Sequence, residues 1–411
     1  MRYLQLSAVD AFVTTKKASY NVIHTLGAPV DFNGNISRTL GEAIPISRLG
    51  IKVSVVVSNK VPKNCFEQAA DNNVNLSLFS PPLPPNGIGW RLNNTLPLYL
   101  AILNATHNNP NCILHVSAPS PVTKPFMGLA AGKQTKKPIV LDLHDPWSDD
   151  LFSHNPLLML QTTLMRKVID KADFVIAAHN QLAKLVRSLN NKKPLTVIPN
   201  CVDCNQYKPT DPNKSFAKEL GITDDEIVVA FCGHITEFKG LQVLVKSAKK
   251  VVKKVKNIKF LIIGDGPFLQ HVKELTRQLD LEKFFKFVGY VSQKQLPLYL
   301  CLADICVAPY TAADFYKLSL PETPVKVVEY IAMGKPVIMS KISEQNVITW
   351  SEGGVQIQPG NVDELADGLI DLICDEKLRK TMGAKGRNYA EENLSWDKMA
   401  LKLVEIYESV H

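Results

Sequence analysis

Between residues 226 and 339 short apolar runs follow one another in series, and each is separated from the next by a stretch with helical periodicity. No other feature restricts the fold of this chain so strongly. The runs are EIVVAF (226–231), IKFLIIG (258–264), KFFKFVG (283–289), DICVAPY (304–310) and KPVIM (335–339). Strands that alternate with helices predict βαβ units and a parallel sheet covered on both faces. The first half repeats the alternation less regularly, in IKVSVVVS (51–58), VNLSLFS (74–80), CILHVS (112–117), PIVLDLH (138–144) and DFVIAAH (173–179), with a helix predicted over SRTLGEAIPISRLG (37–50). The proline-rich PPLPPNG (81–87) reads as a loop. The tract KSAKKVVKKVKNIK (246–259) has the lysine density of a nucleic-acid stripe. Its valines at 243, 245, 251, 252 and 255 keep helical spacing, so a solvated surface helix is the stronger reading and no nucleic-acid partner is expected.

A chain of 411 residues exceeds what one hydrophobic core supports, and the two α/β halves meet near PLTVIPNCVDCNQYKP (194–209). The expected domains are residues 1–205, residues 206–390, and a C-terminal helix within 391–411 that packs back toward the first. No apolar run reaches the ~20 residues of a spanning helix, and the N-terminus reads as neither signal peptide nor anchor, so a cytoplasmic location is expected. Of the eight cysteines, Cys232, Cys301, Cys306 and Cys374 lie in apolar runs, as small buried side chains in a reducing compartment would. Cys201 and Cys204 form a CxxC without a second ligand pair, which reads as a loop. No convincing metal cluster stands out. The net charge of +8 is uneven, with 20 lysines and arginines against 12 acids in residues 1–205 and 27 against 27 in the remainder.

Ligands bind at the carboxyl ends of parallel strands, so the loops there carry the chemistry. In CGHITEFKG (232–240) a strand ends at Gly233, and Lys239 precedes a helix whose free N–H groups and dipole favour a phosphate. In LIIGDGP (261–267) Gly264 and Gly266 let the backbone turn sharply and approach a flat ligand. The pattern is not GxGxxG, which disfavours a nicotinamide cofactor. In LPETPVKVVEYIAMGKPVI (320–338) Lys326 and Glu329 share a helix face, where a carboxylate can accept two hydrogen bonds from a ribose diol and the helix start at Val325 can receive a phosphate. Taken singly, each has a plainer reading: a surface lysine beside a glycine, a turn, an exposed ion pair.

In their order these loops resemble the family 4 glycosyltransferases, retaining enzymes of the GT-B fold, and the likeness runs from about residue 30 to the C-terminus. GHITEFKG resembles the family's glycine, basic residue, lysine-glycine segment. IGDGP resembles its second-strand turn, and FVGYVSQKQLPLYLCLADICVAPY the stretch leading to its nucleotide pocket. VVEYIAMGKPVI is very close to its signature helix. IPNCVD (198–203) is similar to its linker and HDPW (144–147) to its acceptor-side loop. The resemblance implies two Rossmann-like α/β domains with parallel sheets facing across a cleft. It implies a nucleoside diphosphate sugar as donor, a hydroxyl acceptor, and neither metal nor other cofactor. Glu329 would hold the ribose, Lys239 the diphosphate, and Gly34 of DFNGN (31–35) would close over the phosphates. His144 would face the transferred sugar, and the leaving phosphate would take the acceptor's proton.

By the same resemblance Lys239, His144 and His234 are the expected catalytic group. Gly34, Gly233, Gly264, Gly266, Glu322, Val325, Lys326 and Glu329 are the expected donor-binding residues. The sequence departs from the family where a glutamate is common eight residues before Glu329. That position is Pro321, and Glu322 stands one residue off as a substitute. His234 replaces an arginine, which shifts weight to Lys239 and Lys326, and Cys201 replaces the linker glycine. The rival readings are a nucleotide-sugar epimerase, an inverting transferase, or an inactive sugar-nucleotide-binding protein. The basic first half, with the loop Pro81–Pro85 and Trp90, predicts an acceptor carried on a lipid or phosphate and peripheral contact with anionic membranes.

Overall fold

The structure is a computed structural model and describes residues 19–25, 34–58, 63–80, 95–118, 123–144, 156–311, 322–343 and 346–411. The chain forms two compact units, residues 1–199 with 396–411, and residues 200–395. The sequence places the corresponding change at 205/206. The loops DFN (31–33) and PPLPPNG, Trp90, the residues 145–147 of HDPW, and Pro321 lie outside the described residues.

The first unit is built on seven strands: β1 (Asn21–Thr25), β2 (Val53–Ser58), β3 (Asn75–Phe79), β4 (Cys112–Ala118), β5 (Ile139–Leu143), β6 (Phe174–Ala177) and β7 (Leu195–Val197). Their order is β3-β2-β1-β4-β5-β6-β7, with every pairing parallel. β2, β4 and β5 are buried along their whole length. That is why they read as mainly apolar runs, with buried polar residues such as His115 and Asp142 among them, and not as regular alternation. β1, NVIHT, escapes the sequence reading because Asn21, His24 and Thr25 break its apolar run, although it occupies the centre of the sheet.

The second unit repeats the topology with β8 (Ile227–Cys232), β9 (Ile258–Ile263), β10 (Phe285–Gly289), β11 (Ile305–Ala308), β12 (Val337–Ser340) and β13 (Gly354–Ile357), in the order β10-β9-β8-β11-β12-β13. All pairings are again parallel. Both orders contain the 3-2-1-4-5-6 arrangement of the doubly wound nucleotide-binding folds. The lysine-rich tract lies mainly in the helix Leu241–Lys254. It buries Val243, Val245, Val251 and Val252 and leaves Lys249, Lys250, Lys253 and Lys254 exposed, as its valine spacing requires. The cysteines are free and seven are buried. Cys374 is the correction: it ends the helix Val362–Cys374 and is exposed, because the apolar run outlasts the packed part of the helix.

The C-terminal helix Trp396–Val410 belongs to the first unit and packs on the helix Gly34–Arg48, burying Trp396, Leu403 and Tyr407. Gly41 makes that approach feasible, since a Cβ there would stand 2.3 Å from Trp396 Nε1. Helix propensity alone would make Gly41→Ala stabilising by up to about 1 kcal/mol. Overpacking costs about 1–3 kcal/mol, so a net loss of stability is expected. A urea-unfolding midpoint at or above that of the parent would show that the two helices do not interlock as described.

Candidate active site

In a doubly wound sheet the strand order reverses at one point, and the crevice beyond the strand ends there is where ligands bind. In the second unit that point lies between β8 and β11. β8 runs directly into Gly233, whose amide donates to Ile263 O (2.9 Å). The loop after β9 is fastened to the loop after β8 by Ile235 N to Asp265 O (2.8 Å) and Phe268 N to Ile235 O (3.1 Å). Such close backbone approach excludes side chains. A Cβ on Gly264, at φ +136°, would lie 2.0 Å from Gly233 O, and one on Gly240, at φ +77°, 1.6 Å from Pro309 O. Gly266 is excluded from bearing a side chain in the same way by Ile235 O at 2.3 Å. The glycines of GHITEFKG and IGDGP thus weld the loops after β8, β9 and β11 into one wall.

Cations gather on that wall. Lys239 ends the short 3₁₀ turn Glu237–Lys239, with its ammonium 4.5 Å from the centre of the Phe238 ring and 5.1 Å from that of Tyr310. Lys326, in the first turn of the helix Val325–Ala332, reaches back until its Nζ stands 3.8 Å above the Phe231 ring. The same Nζ is 3.0 Å from where a Cβ on Gly233 would be, so Gly233 makes room for it. Although the residue is half-buried, Nζ itself is sealed from solvent and has no hydrogen-bond partner among the described residues. Burial, and then the charge of Lys239, pull Lys326 down to about 7. The start of its helix has no side-chain cap, and the first hydrogen bonds to Pro324 O come from Val327 and Val328. The amides of Val325 and Lys326 therefore have no intrahelical acceptor.

Glu329 lies one turn further on and is buried, which pushes its carboxyl up to about 7, while Tyr207 and Lys326 pull it back. The exposed ion pair with Lys326 that spacing alone would suggest is not what forms, since both charged groups point inward. The helix is positioned from several sides. Tyr330 OH accepts from Cys232 N (2.6 Å), and Asn200 of IPNCVD donates to Thr323 O (3.0 Å) and, through its amide, to Thr323 Oγ1 (3.1 Å). Arg387 binds the carbonyls of Ala332, Tyr207 and Cys204. Asn200 lies in the linker IPNCVD that the sequence singles out, whereas Arg387 is a positioning residue that the sequence reading missed, since nothing local marks a partner 183 residues away. Glu322 is buried and its carbonyl accepts from Val347 N (3.0 Å). His234 is exposed on the loop after β8.

In the first unit His144 follows β5 and is buried, with Nε2 2.6 Å from Asp142 Oδ2. Arg38 holds Asp142 in a two-pronged contact (2.9 and 3.0 Å) and donates to the carbonyls of Ile198 and Pro199. Its guanidinium and His144 keep the Asp142 carboxyl well below the usual range against the opposing effect of burial. Gly34 opens the helix Gly34–Arg48.

Two doubly wound units of matching strand order, one with a cationic wall at its switch point, define the GT-B class of α/β protein. The particular family follows from the sequence comparisons. Residues 45–206 match the model of glycosyltransferase family 4 and residues 213–389 that of the glycosyl transferases group 1, and the chain belongs to the family 4 glycosyltransferases. It is 28% identical over 214 residues to a GDP-mannose-dependent monoacylated α-(1-6)-phosphatidylinositol monomannoside mannosyltransferase of Corynebacterium glutamicum, covering 52% of this chain and 55% of that one. It is 26% identical over 249 residues to an N-acetyl-α-D-glucosaminyl L-malate synthase of Bacillus anthracis, covering 60% and 62%. The chain thus matches between half and two thirds of the length of these relatives. The crystal structure of Anabaena HepE in complex with UDP shares the fold, with a TM-score of 0.73 at 18% identity over 95% of this chain and 100% of that one.

The sign of a pH effect follows from Lys326. An unfolded lysine keeps its proton to about pH 10.4, whereas the folded Lys326 releases it near 7. Between those values the unfolded chain binds more protons, so stability from this group rises with pH. Lys326→Met removes the buried charge and is expected to stabilise by about 1–4 kcal/mol at pH values near 6. The gain should shrink as pH climbs toward about 10. Thermal melts at both ends of that range check it, and a gain independent of pH would mean that Lys326 is not buried as a charge.

Proposed function

We propose that this chain transfers a glycosyl group from a nucleoside diphosphate sugar to a hydroxyl acceptor with retention of configuration. The observation that carries the reading is the convergence of Lys239, Lys326 and an uncapped helix start beside buried Glu329, at the switch point of the second unit. Two ammonium groups and free amides suit a diphosphate, and a bound diphosphate would return Lys326 to its charged form. Glu329 would accept from the ribose diol. As the glycosidic bond breaks, negative charge grows on the leaving phosphate, and Lys239 is placed to stabilise it. That phosphate can then take the acceptor's proton on the face it leaves, so the scheme requires no protein nucleophile and no divalent ion at the diphosphate. His144, oriented by Asp142, is our candidate for contact with the transferred sugar.

Two relatives support the donor class by their names and contents, one using GDP-mannose and the other crystallised with UDP. We further propose a lipid-carried acceptor. The solvent face of the helix Pro156–Lys171 presents Met159 and Leu160, 57% and 55% exposed, followed by Arg166, Lys167 and Lys171. Lys184, Arg187 and Lys192 are exposed nearby in sequence. Apolar side chains beside basic ones suit an anionic bilayer surface, where each lysine or arginine contributes about 1 kcal/mol. Among the described residues no helix is long and apolar enough to cross a membrane.

Lys239→Ala should lower kcat on the order of a hundredfold with little change in KM, as expected for a charge contact made mainly in the transition state. Near-parental kcat at saturating donor would remove Lys239 from the chemistry. Proton NMR of the first product formed should show the donor's anomeric configuration, and inversion would overturn the retaining scheme. The full chain should pellet with phosphatidylserine vesicles in low salt and release as the Debye length shrinks from about 10 Å at 0.1 M to 3 Å at 1 M. Failure to pellet in low salt would remove the membrane from the proposal.

A further inference from the structure

At the centre of the first unit lies a group of ionisable side chains that the proposed transfer leaves unused. His24 on β1 and His115 on β4 are register partners in the sheet, with their rings stacked 4.3 Å apart. Glu42, from the helix Gly34–Arg48, points at both. All three side chains have no exposed surface. Glu42 Oε2 is 3.8 Å from His24 Nδ1 and 3.5 Å from His115 Nε2, and Asp142 Oδ2 is 3.6 Å from the same His115 Nε2. Among the described residues neither nitrogen of His24, neither oxygen of Glu42, nor Nε2 of His115 has a hydrogen-bond partner, and Glu42 Oε1 has only the ion-pair contact of Arg38 Nε at 3.1 Å. Buried polar atoms left in that condition cost free energy.

The separations are informative. They exceed the 2.7–3.2 Å range of an N–H···O hydrogen bond. Two ligands of a tetrahedral ion with bonds of about 2.0–2.1 Å stand roughly 3.3 Å apart, close to the spacing seen. One ligand atom from each of His24, Glu42 and His115 can be chosen so that all lie within 4.8 Å of one another. We propose that His24, His115 and Glu42 form a buried structural site for a divalent transition metal, zinc by its ligand chemistry.

Two imidazoles and a carboxylate select zinc and its neighbours over calcium or magnesium, which take oxygen ligands. The surroundings agree. The other nitrogen of His115, Nδ1, lies 2.8 Å from Tyr407 OH, the outer-shell contact that fixes which nitrogen of a metal-binding histidine faces the ion. Arg38, 3.1 Å from Glu42 Oε1 and 2.9 Å from Asp142 Oδ2, orients both carboxylates. The ion would pin β1, β4 and the helix Gly34–Arg48 together and, through Tyr407, the C-terminal helix with them. This runs against the sequence-based expectation that the chain holds no metal. It is independent of the donor site, since it concerns residues of the first unit alone.

The test uses the full chain produced without a histidine tag. Plasma mass spectrometry of the parent protein should find about one zinc per chain. Glu42→Gln, which keeps the shape and removes the charge, should bind zinc at least about tenfold more weakly while retaining its circular dichroism. A strong chelator should lower the Tm of the parent and leave that of Glu42→Gln unchanged. If Glu42→Gln fails to fold, cobalt titrated into the metal-stripped parent decides, with visible absorption of a tetrahedral site expected. Parent protein that holds no zinc, takes up neither zinc nor cobalt, and melts identically with chelator would overturn the proposal in favour of a proton-sharing network around water. Equal zinc in the parent and Glu42→Gln overturns it too, by placing the ion elsewhere. Lys239→Ala should retain its zinc, which separates this outcome from any failure of the donor-site reading.

Discussion

A parallel sheet delivers the carboxyl ends of all its strands to one edge, and that constraint decides where this chain can place chemistry. Both sheets are wholly parallel, and the strand order of each reverses once, at β1/β4 and at β8/β11. In the second unit the reversal brings the loops after β8 and β11 to one strand edge, where glycines let their backbones meet. Gly233, Gly240 and Gly264 do more than turn the chain. A side chain at Gly240 or Gly264 would drive apart two backbones that the site needs in contact, and one at Gly233 would crowd the Lys326 ammonium. Sheet topology supplies the position, and the absence of Cβ atoms supplies the fit.

The ionisable groups set there are not arranged for stability. Lys326 and Glu329 are both buried and both displaced toward about 7, one downward and one upward, mainly by loss of water. An apolar pair of similar volume would fold more readily. What burial gains is leverage, because an ammonium kept out of water responds strongly to an arriving anion. Groups displaced in opposite directions at a strand-edge site are a pattern associated with function. They gather on the helix Val325–Ala332, which the linker and Arg387 hold from several directions.

The legible parts of this fold were those governed by short-range rules. Runs such as IKFLIIG and CILHVS are largely buried on both faces, so they are mostly apolar and their strands end within one or two residues of where the pattern does. The site loops were legible because glycine, lysine and glutamate stand at fixed offsets from those strand ends. The central strand NVIHT was not, since its polar His24 and Thr25 are buried in the core, a placement that only tertiary structure supplies. The same holds for Arg38 and Asp142, which are 104 residues apart and look locally like a helix surface arginine and one acid of a strand end. Polar residues inside a core carry no periodic signature, so the buried cluster of the first unit stayed hidden while the donor side was readable.

That division also explains why the family was legible and the substrate was not. On the proposed reading, ammonium groups and backbone amides would recognise the diphosphate and a single carboxylate the ribose. Every nucleoside diphosphate sugar offers both features. Electrostatic contacts of this kind do not distinguish a GDP-linked donor from a UDP-linked one. Discrimination between bases or sugars requires hydrogen bonds to groups that one ligand has and another lacks, because only an unpaired buried polar atom penalises the wrong partner heavily. Such contacts come from loops free to vary around the fixed wall. The residues that make the fold and the charge site recognisable are therefore the ones least able to choose among donors.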